Sequence, residues 1–101
     1  MRLQPAQREV ITALVRSMVP PESSYELRLF GSRLNDQAKG GDVDLYLEIA
    51  GMPATALATL QRGLRVRLEE AMDLPVDLTI QQRGAPLNLV SRLAKEEGIR
   101  L

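Results

Sequence analysis

Strict alternation of polar and apolar residues from 42 to 49 constrains this chain more than any other feature. The odd-numbered positions carry only aliphatic side chains, and the even-numbered ones carry Asp42, Asp44, Tyr46 and Glu48. Successive side chains of a β-strand point to opposite faces, so the segment is predicted to be a strand with one apolar face. Such a strand needs a second layer of structure to cover that face.

Apolar residues at helical spacing predict three helices that supply this layer. They are expected at residues 4–18, 54–72 and 87–97. Pro20 and Pro21 end the first helix, and Gly98 follows the third as a C-terminal cap. In the second helix, Arg65 and Glu69 form an i,i+4 pair that is expected on the solvent-facing side.

Two further strands are predicted at residues 25–30 and 76–81, and residues 99–101 are expected either to add a short edge strand or to pack down. The order is therefore α-β-β-α-β-α. The helix between the second and third strands indicates a crossover and a parallel pair, while the polar loop at 33–41 permits an antiparallel first pair. The expected class is α/β (α+β), with a small mixed sheet and helices packed on one face.

Length and charge limit the functions open to the chain. Its 101 residues predict one domain, spanning 1–101. Lys and Arg together number 13, as do Asp and Glu, and this balance argues against direct binding of nucleic acid, which needs a basic surface. Neither a transmembrane segment nor a signal peptide is evident, so we expect a cytoplasmic protein that does not bind membranes.

The absence of His and Cys restricts the chemistry further. Thiolate nucleophiles, disulfides and zinc ribbons are excluded, and so is the commonest general base. Acid–base work must fall to Asp or Glu. A metal held by side chains must accept oxygen ligands, which indicates Mg²⁺ or Mn²⁺.

Three carboxylates are candidate ligands for such a metal. Asp42 and Asp44 leave the same face of one predicted strand, and Asp77 lies opposite the apolar positions of another. If both strands share the core, all three carboxylates lie on one face of the sheet. Two divalent cations bridged by these carboxylates would relieve the repulsion between them. Pairs of metal ions held in this way catalyse in-line phosphoryl or nucleotidyl transfer.

Gly31 and Ser32 supply a candidate phosphate site directly after the first predicted strand. Glycine lets the backbone approach a phosphate closely, and the Ser32 hydroxyl can donate a hydrogen bond. Arg33 is placed to offset triphosphate charge. Each feature also has a structural interpretation: outward Asp residues and Gly-Ser turns are common, and Asp77 could bind a backbone amide.

Three other polar side chains on these strands are expected to have no part in the chemistry. Tyr46 and Glu48 are expected to lie on a solvated surface or to contact a partner. Arg28, on the first strand, is expected at the surface, with lining of the cleft as the alternative.

The two motifs together resemble the signature of the polymerase-β-like nucleotidyltransferase superfamily. Residues 29–33 read Leu-Phe-Gly-Ser-Arg, and residues 41–47 read Gly-Asp-Val-Asp-Leu-Tyr-Leu. Val-Asp-Leu at 76–78 and Ala-Lys-Glu-Glu-Gly-Ile at 94–99 resemble the minimal nucleotidyltransferases. The resemblance implies the fold of that superfamily. One departure is Gly41, where relatives often have Ser, so a hydrogen bond near the loop is expected to be missing.

The resemblance also implies roles for these residues. Asp42 and Asp44 would bind two Mg²⁺ ions, and Asp77 would complete one site and accept the proton of an attacking hydroxyl. Gly31 and Ser32 would hold the β- and γ-phosphates of ATP or another nucleoside triphosphate. The reaction would transfer NMP, most often AMP, to a hydroxyl and release pyrophosphate.

Minimal members often pair with HEPN-domain toxins and act as their antitoxins. The acceptor can then be a tyrosine of the toxin, which implies a hetero-oligomer with a HEPN-type partner. A non-catalytic antitoxin that neutralises its partner by contact is the main alternative. A small-molecule nucleotidyltransferase ranks lower because such enzymes use a further acceptor-binding domain, and size and neutral charge exclude a template-directed polymerase.

Overall fold

A computed structural model describes residues 4–30, 43–86 and 98–101, together with Arg92 and Glu96. The elements in chain order are α1 (Pro5–Met18), β1 (Ser24–Phe30), β2 (Val43–Ala50), α2 (Ala54–Met72), β3 (Val76–Gln82) and β4 (Ile99–Arg100). Of the predicted third helix at 87–97, Arg92 and Glu96 are both helical. The rest of that helix and the predicted loop at 33–41 lie outside the described residues.

The strands form one mixed sheet in the order β3-β2-β1-β4. β1 pairs antiparallel with β2 and with β4, whereas β2 and β3 are parallel and are joined through α2. The predicted antiparallel and parallel pairs are therefore both present. Of the two alternatives for residues 99–101, the edge strand is the one observed, and Leu101 also packs against the core. The described chain is thus α+β, with two helices and a four-stranded mixed sheet.

The core lies between the two helices and one face of the sheet. Its centre is β2, in which Val43, Leu45, Leu47 and Ile49 have no exposed surface. The helices contribute the buried side chains Ile11, Val15, Leu57, Leu60, Leu64 and Leu68. The helices therefore cover the apolar face of β2 that the alternation predicts.

The start of α1 and the end of α2 are each explained by interactions of nearby residues. α1 begins with proline at its first position, where no backbone donor is needed, and the Gln4 N–H donates to Gln7 Oε1 at 2.9 Å. α2 ends at Asp73, which has a left-handed backbone (φ 54°) and donates its N–H to the Glu69 carbonyl at 2.9 Å. Neither of the two described helices is long and apolar enough to cross a membrane.

The packing of α2 predicts a contrast between two neighbouring positions. Leu64 is fully buried, whereas Val66, two residues further along α2, is 46% exposed. We expect Leu64→Ala to lower the free energy of unfolding by about 2–5 kcal/mol, because it removes buried methyl groups and leaves a cavity. Val66→Ala, the matched control, should change it by less than about 0.5 kcal/mol. Urea unfolding followed by circular dichroism measures both, and equal losses would place Leu64 outside the core.

Candidate functional site

Two of the predicted carboxylates meet at the end of the sheet where β1 stops and β2 and β3 begin. In the strand register, Asp44 lies beside Asp77 on β3 and beside Phe30 on β1. The residues on either side of each Asp are buried in the core, so both carboxylates face away from the helices. Asp44 is half-buried and Asp77 is exposed. The register therefore brings these two side chains together on one face of the sheet.

The other predicted site residues lie outside the described part of the chain. These are Gly31, Ser32, Arg33 and Asp42. In the sequence, Gly31 directly follows Phe30, and Asp42 directly precedes Val43. The described residues thus end, on β1 and β2, next to the two motifs that the sequence singles out.

Placing Asp44 beside Asp77 concentrates negative charge at one end of the sheet. Adjacent strands are about 4.8 Å apart, and two unit charges about 5 Å apart repel by about 3 kcal/mol at an effective dielectric constant near 20. A cation shared by the two side chains would offset this repulsion. Carboxylate oxygens are the ligands that Mg²⁺ and Mn²⁺ prefer, so the chemistry of the pair fits these ions. Within the described residues, no group of three or more acidic, His or Cys side chains is close enough to hold a metal.

A groove opens beside Asp77 on the outer side of β3. It has a volume of about 460 Å³ and lies between α2 and the first half of the strand. Its lining includes Asp77, Arg65, Glu69 and Gln61. Asp77 therefore borders this groove, while its carboxylate lies on the face of the sheet away from α2.

Tyr46 and Glu48 continue the face that carries Asp44, and both are buried. Tyr46 is 1% exposed and Glu48 is 6% exposed, so the prediction that they lie on a solvated surface is wrong. The Tyr46 hydroxyl donates to Glu48 Oε2 at 3.3 Å, and Arg83 Nε donates to Glu48 Oε1 at 3.3 Å. Strand alternation identifies the face on which a residue lies, but it carries no information on whether that face is covered.

A second glutamate lies directly opposite Glu48 across the β1–β2 pair. This is Glu26, and like charges facing each other on neighbouring strands are destabilising. Arg28 Nη2 lies 3.3 Å from Glu26 Oε2, and Arg100 Nη2 lies 3.9 Å from Glu26 Oε1. Each glutamate therefore has an arginine of its own. Arg28 is half-buried and binds Glu26, which places it within this ion-pair network.

Comparison with known proteins does not assign a family to this chain. No protein-family model and no curated protein matches the chain.

The buried carboxylate of Glu48 predicts a measurable dependence on Arg83. We expect Arg83→Met to lower the free energy of unfolding by about 1–3 kcal/mol, because it removes a charged partner from a buried carboxylate. The Arg83 side chain is 42% exposed, so the loss of stability should be smaller than when one partner of a fully buried ion pair is removed. Arg67→Met, at an exposed position of α2, is the matched control and should change stability little.

A double-mutant cycle checks that Glu48 is responsible. In the Arg83→Met background, Glu48→Gln should recover part of the lost stability. A neutral amide is less costly to bury than a carboxylate that no longer has Arg83 beside it. Urea unfolding of the four proteins gives the coupling free energy. Strictly additive effects would show that the two side chains do not interact in solution.

Proposed function

We propose that the chain is a Mg²⁺-dependent nucleotidyltransferase that transfers NMP, with AMP as the first candidate, from a nucleoside triphosphate to a hydroxyl group. The observation that carries the proposal is the register that sets Asp44 beside Asp77 at the end of β1. The sequence places Gly31 and Ser32 directly after that strand. Adjacent carboxylates can hold the divalent metal used in transfer from a nucleotide, and a Gly-Ser sequence can supply hydrogen-bond donors to its phosphates.

Each residue has a proposed task. Asp42, Asp44 and Asp77 would hold the metal ions, with Mn²⁺ as a substitute for Mg²⁺. When bound, the metal would neutralise charge on the phosphate oxygens and favour ionisation of the acceptor hydroxyl. Gly31 and Ser32 would bind the β- and γ-phosphates through backbone and hydroxyl donors, and Arg33 would add positive charge.

The proposed transfer balances as a single displacement at the α-phosphorus. The acceptor oxygen forms a bond to the α-phosphorus. The bond between the α-phosphorus and the oxygen that bridges it to the β-phosphorus breaks. Pyrophosphate leaves with the electron pair. The proton of the acceptor hydroxyl would pass to the Asp77 carboxylate, which is more exposed than that of Asp44.

A protein acceptor agrees with the position of Asp77. Because β3 lies at the edge of the described sheet and Asp77 is exposed, a side chain of a protein partner could approach Asp77 from beyond that edge. We propose that the acceptor is a hydroxyl, such as that of a tyrosine, on a HEPN-type toxin in the cytoplasm. The chain would then act as the antitoxin of that partner.

Transfer of label from ATP tests the proposal. Incubation with Mg²⁺, ATP labelled at the α-phosphate and a HEPN-type partner should label the partner and release pyrophosphate. Asp77→Asn should lower the rate about 100- to 10,000-fold, since it removes the proposed base. Asp73→Asn is the matched control: this residue is exposed and left-handed, a conformation that Asn tolerates, and the change in charge is the same.

Two outcomes would contradict parts of the proposal. Equal activity of Asp77→Asn and Asp73→Asn would show that Asp77 takes no part in the reaction. An unlabelled partner would show that the proposed transfer does not occur. Neutralisation of a toxin in cells that survives combined Asp42→Asn and Asp44→Asn would instead indicate a binding module that acts by contact.

A further inference from the structure

Within the part of the chain that the structure describes, β3 has a neighbouring strand on one side only. Val43 N–H donates to the Pro75 carbonyl at 3.0 Å, and Arg83 N–H donates to the Ile49 carbonyl at 2.9 Å. The backbone groups of odd-numbered β3 residues therefore point toward β2, and those of even-numbered residues point outward. Asp77 is thus flanked by two residues, Val76 and Leu78, whose backbone donors and acceptors face the open edge of the sheet.

Two side chains of α2 bind the backbone on either side of Asp77. Glu69 Oε2 accepts a hydrogen bond from the Val76 N–H at 2.9 Å. Gln61 Nε2 donates to the Leu78 carbonyl at 3.1 Å. Both contacts are partly buried, where hydrogen bonds to backbone are less exposed to competition from water. At these two positions the side chains take the place that a further strand would occupy.

Arg65 lies between these two residues on the same ridge of the helix, since positions 61, 65 and 69 are four residues apart. Its Nη1 lies 3.9 Å from Glu69 Oε1, while the other carboxylate oxygen of Glu69 binds Val76. The i,i+4 pair expected from the sequence is therefore present, with Arg65 47% exposed. Arg65 therefore lies next to the carboxylate that binds the Val76 N–H.

We infer that Glu69 and Gln61 are positioning residues for Asp77. The inference rests on the proposed function for the role of Asp77, but the contacts themselves are independent of it. An edge strand held from one side only can shift or fray, and a displacement of about 1 Å can cost a large factor in rate. By holding Val76 and Leu78, the two α2 side chains fix the strand on both sides of the carboxylate and keep it beside Asp44.

Amide hydrogen exchange tests the contact without any reaction. We expect Glu69→Leu to increase the exchange rate of the Val76 amide at least about tenfold, because its acceptor is lost. Glu69→Gln retains an acceptor oxygen and should stay within about twofold of the unmodified protein. Glu70→Leu makes the same change at the next, exposed position of α2 and is the control for altered charge and helix propensity.

Metal affinity and kinetics test the consequence for Asp77. Relative to Glu70→Leu, Glu69→Leu should weaken Mn²⁺ binding several-fold and lower kcat about tenfold. The KM for the nucleotide should change by less than about twofold, because the proposed phosphate ligands, Gly31 and Ser32, follow β1 in the chain rather than β3. Gln61→Leu should act in the same direction, and Glu69→Gln should restore both Mn²⁺ affinity and kcat.

The outcomes separate this inference from the proposed function. Unchanged Val76 exchange in Glu69→Leu, or Mn²⁺ affinity and kcat equal to those of Glu70→Leu, would overturn the positioning role. If Glu69→Gln did not restore Mn²⁺ affinity and kcat, the positioning role would also be overturned, because the hydrogen bond to Val76 would not account for the effect. An unmodified protein that releases no pyrophosphate would overturn the proposed function, and Val76 exchange would still decide whether Glu69 holds the strand.

Discussion

The parallel register of β2 and β3 is the constraint on which the rest of the structure depends. Val43 lies opposite Val76, which brings the apolar positions of both strands onto the face that the helices cover. A shift of one residue would turn the apolar side chains of one strand away from the helices. Each buried aliphatic side chain contributes about 1.5–3 kcal/mol, so core burial alone strongly disfavours such a shift. The same register places Asp44 beside Asp77.

The opposite face of the sheet is stabilised by a different kind of interaction. It carries acidic residues on neighbouring strands, and the facing glutamates at 26 and 48 would repel each other in isolation. Arginines drawn from β1, β4 and the turn after β3 lie next to these carboxylates. These ion pairs connect the turn after β3 to β2 through Arg83 and Glu48, and β4 to β1 through Arg100 and Glu26. The carboxylates at 44 and 77 lie at one end of this charged surface.

Much of the fold could be predicted because its signals are local. The observed bounds of α2 (Ala54–Met72) coincide with the prediction, and the described ends of β1, β2 and β3 differ from it by no more than one residue. The burial of Tyr46 was missed, since alternation assigns a face without showing what covers it. The contact of Glu69 with β3 was missed as well. Its i,i+4 spacing to Arg65 indicates a surface ion pair, and nothing local to α2 shows which strand lies alongside.

The sequence by itself determined which side chains share a face. Periods of two and 3.6 residues are properties of the local backbone, so they separate the aliphatic positions of β2 from Asp44, and the buried stripe of α2 from its polar side. Only the tertiary structure decided which strands are neighbours, that Asp77 lies on an edge strand, and that Gln61 and Glu69 hold the backbone around it. These features depend on contacts between segments distant in the chain, which packing of the whole core selects and no local period encodes.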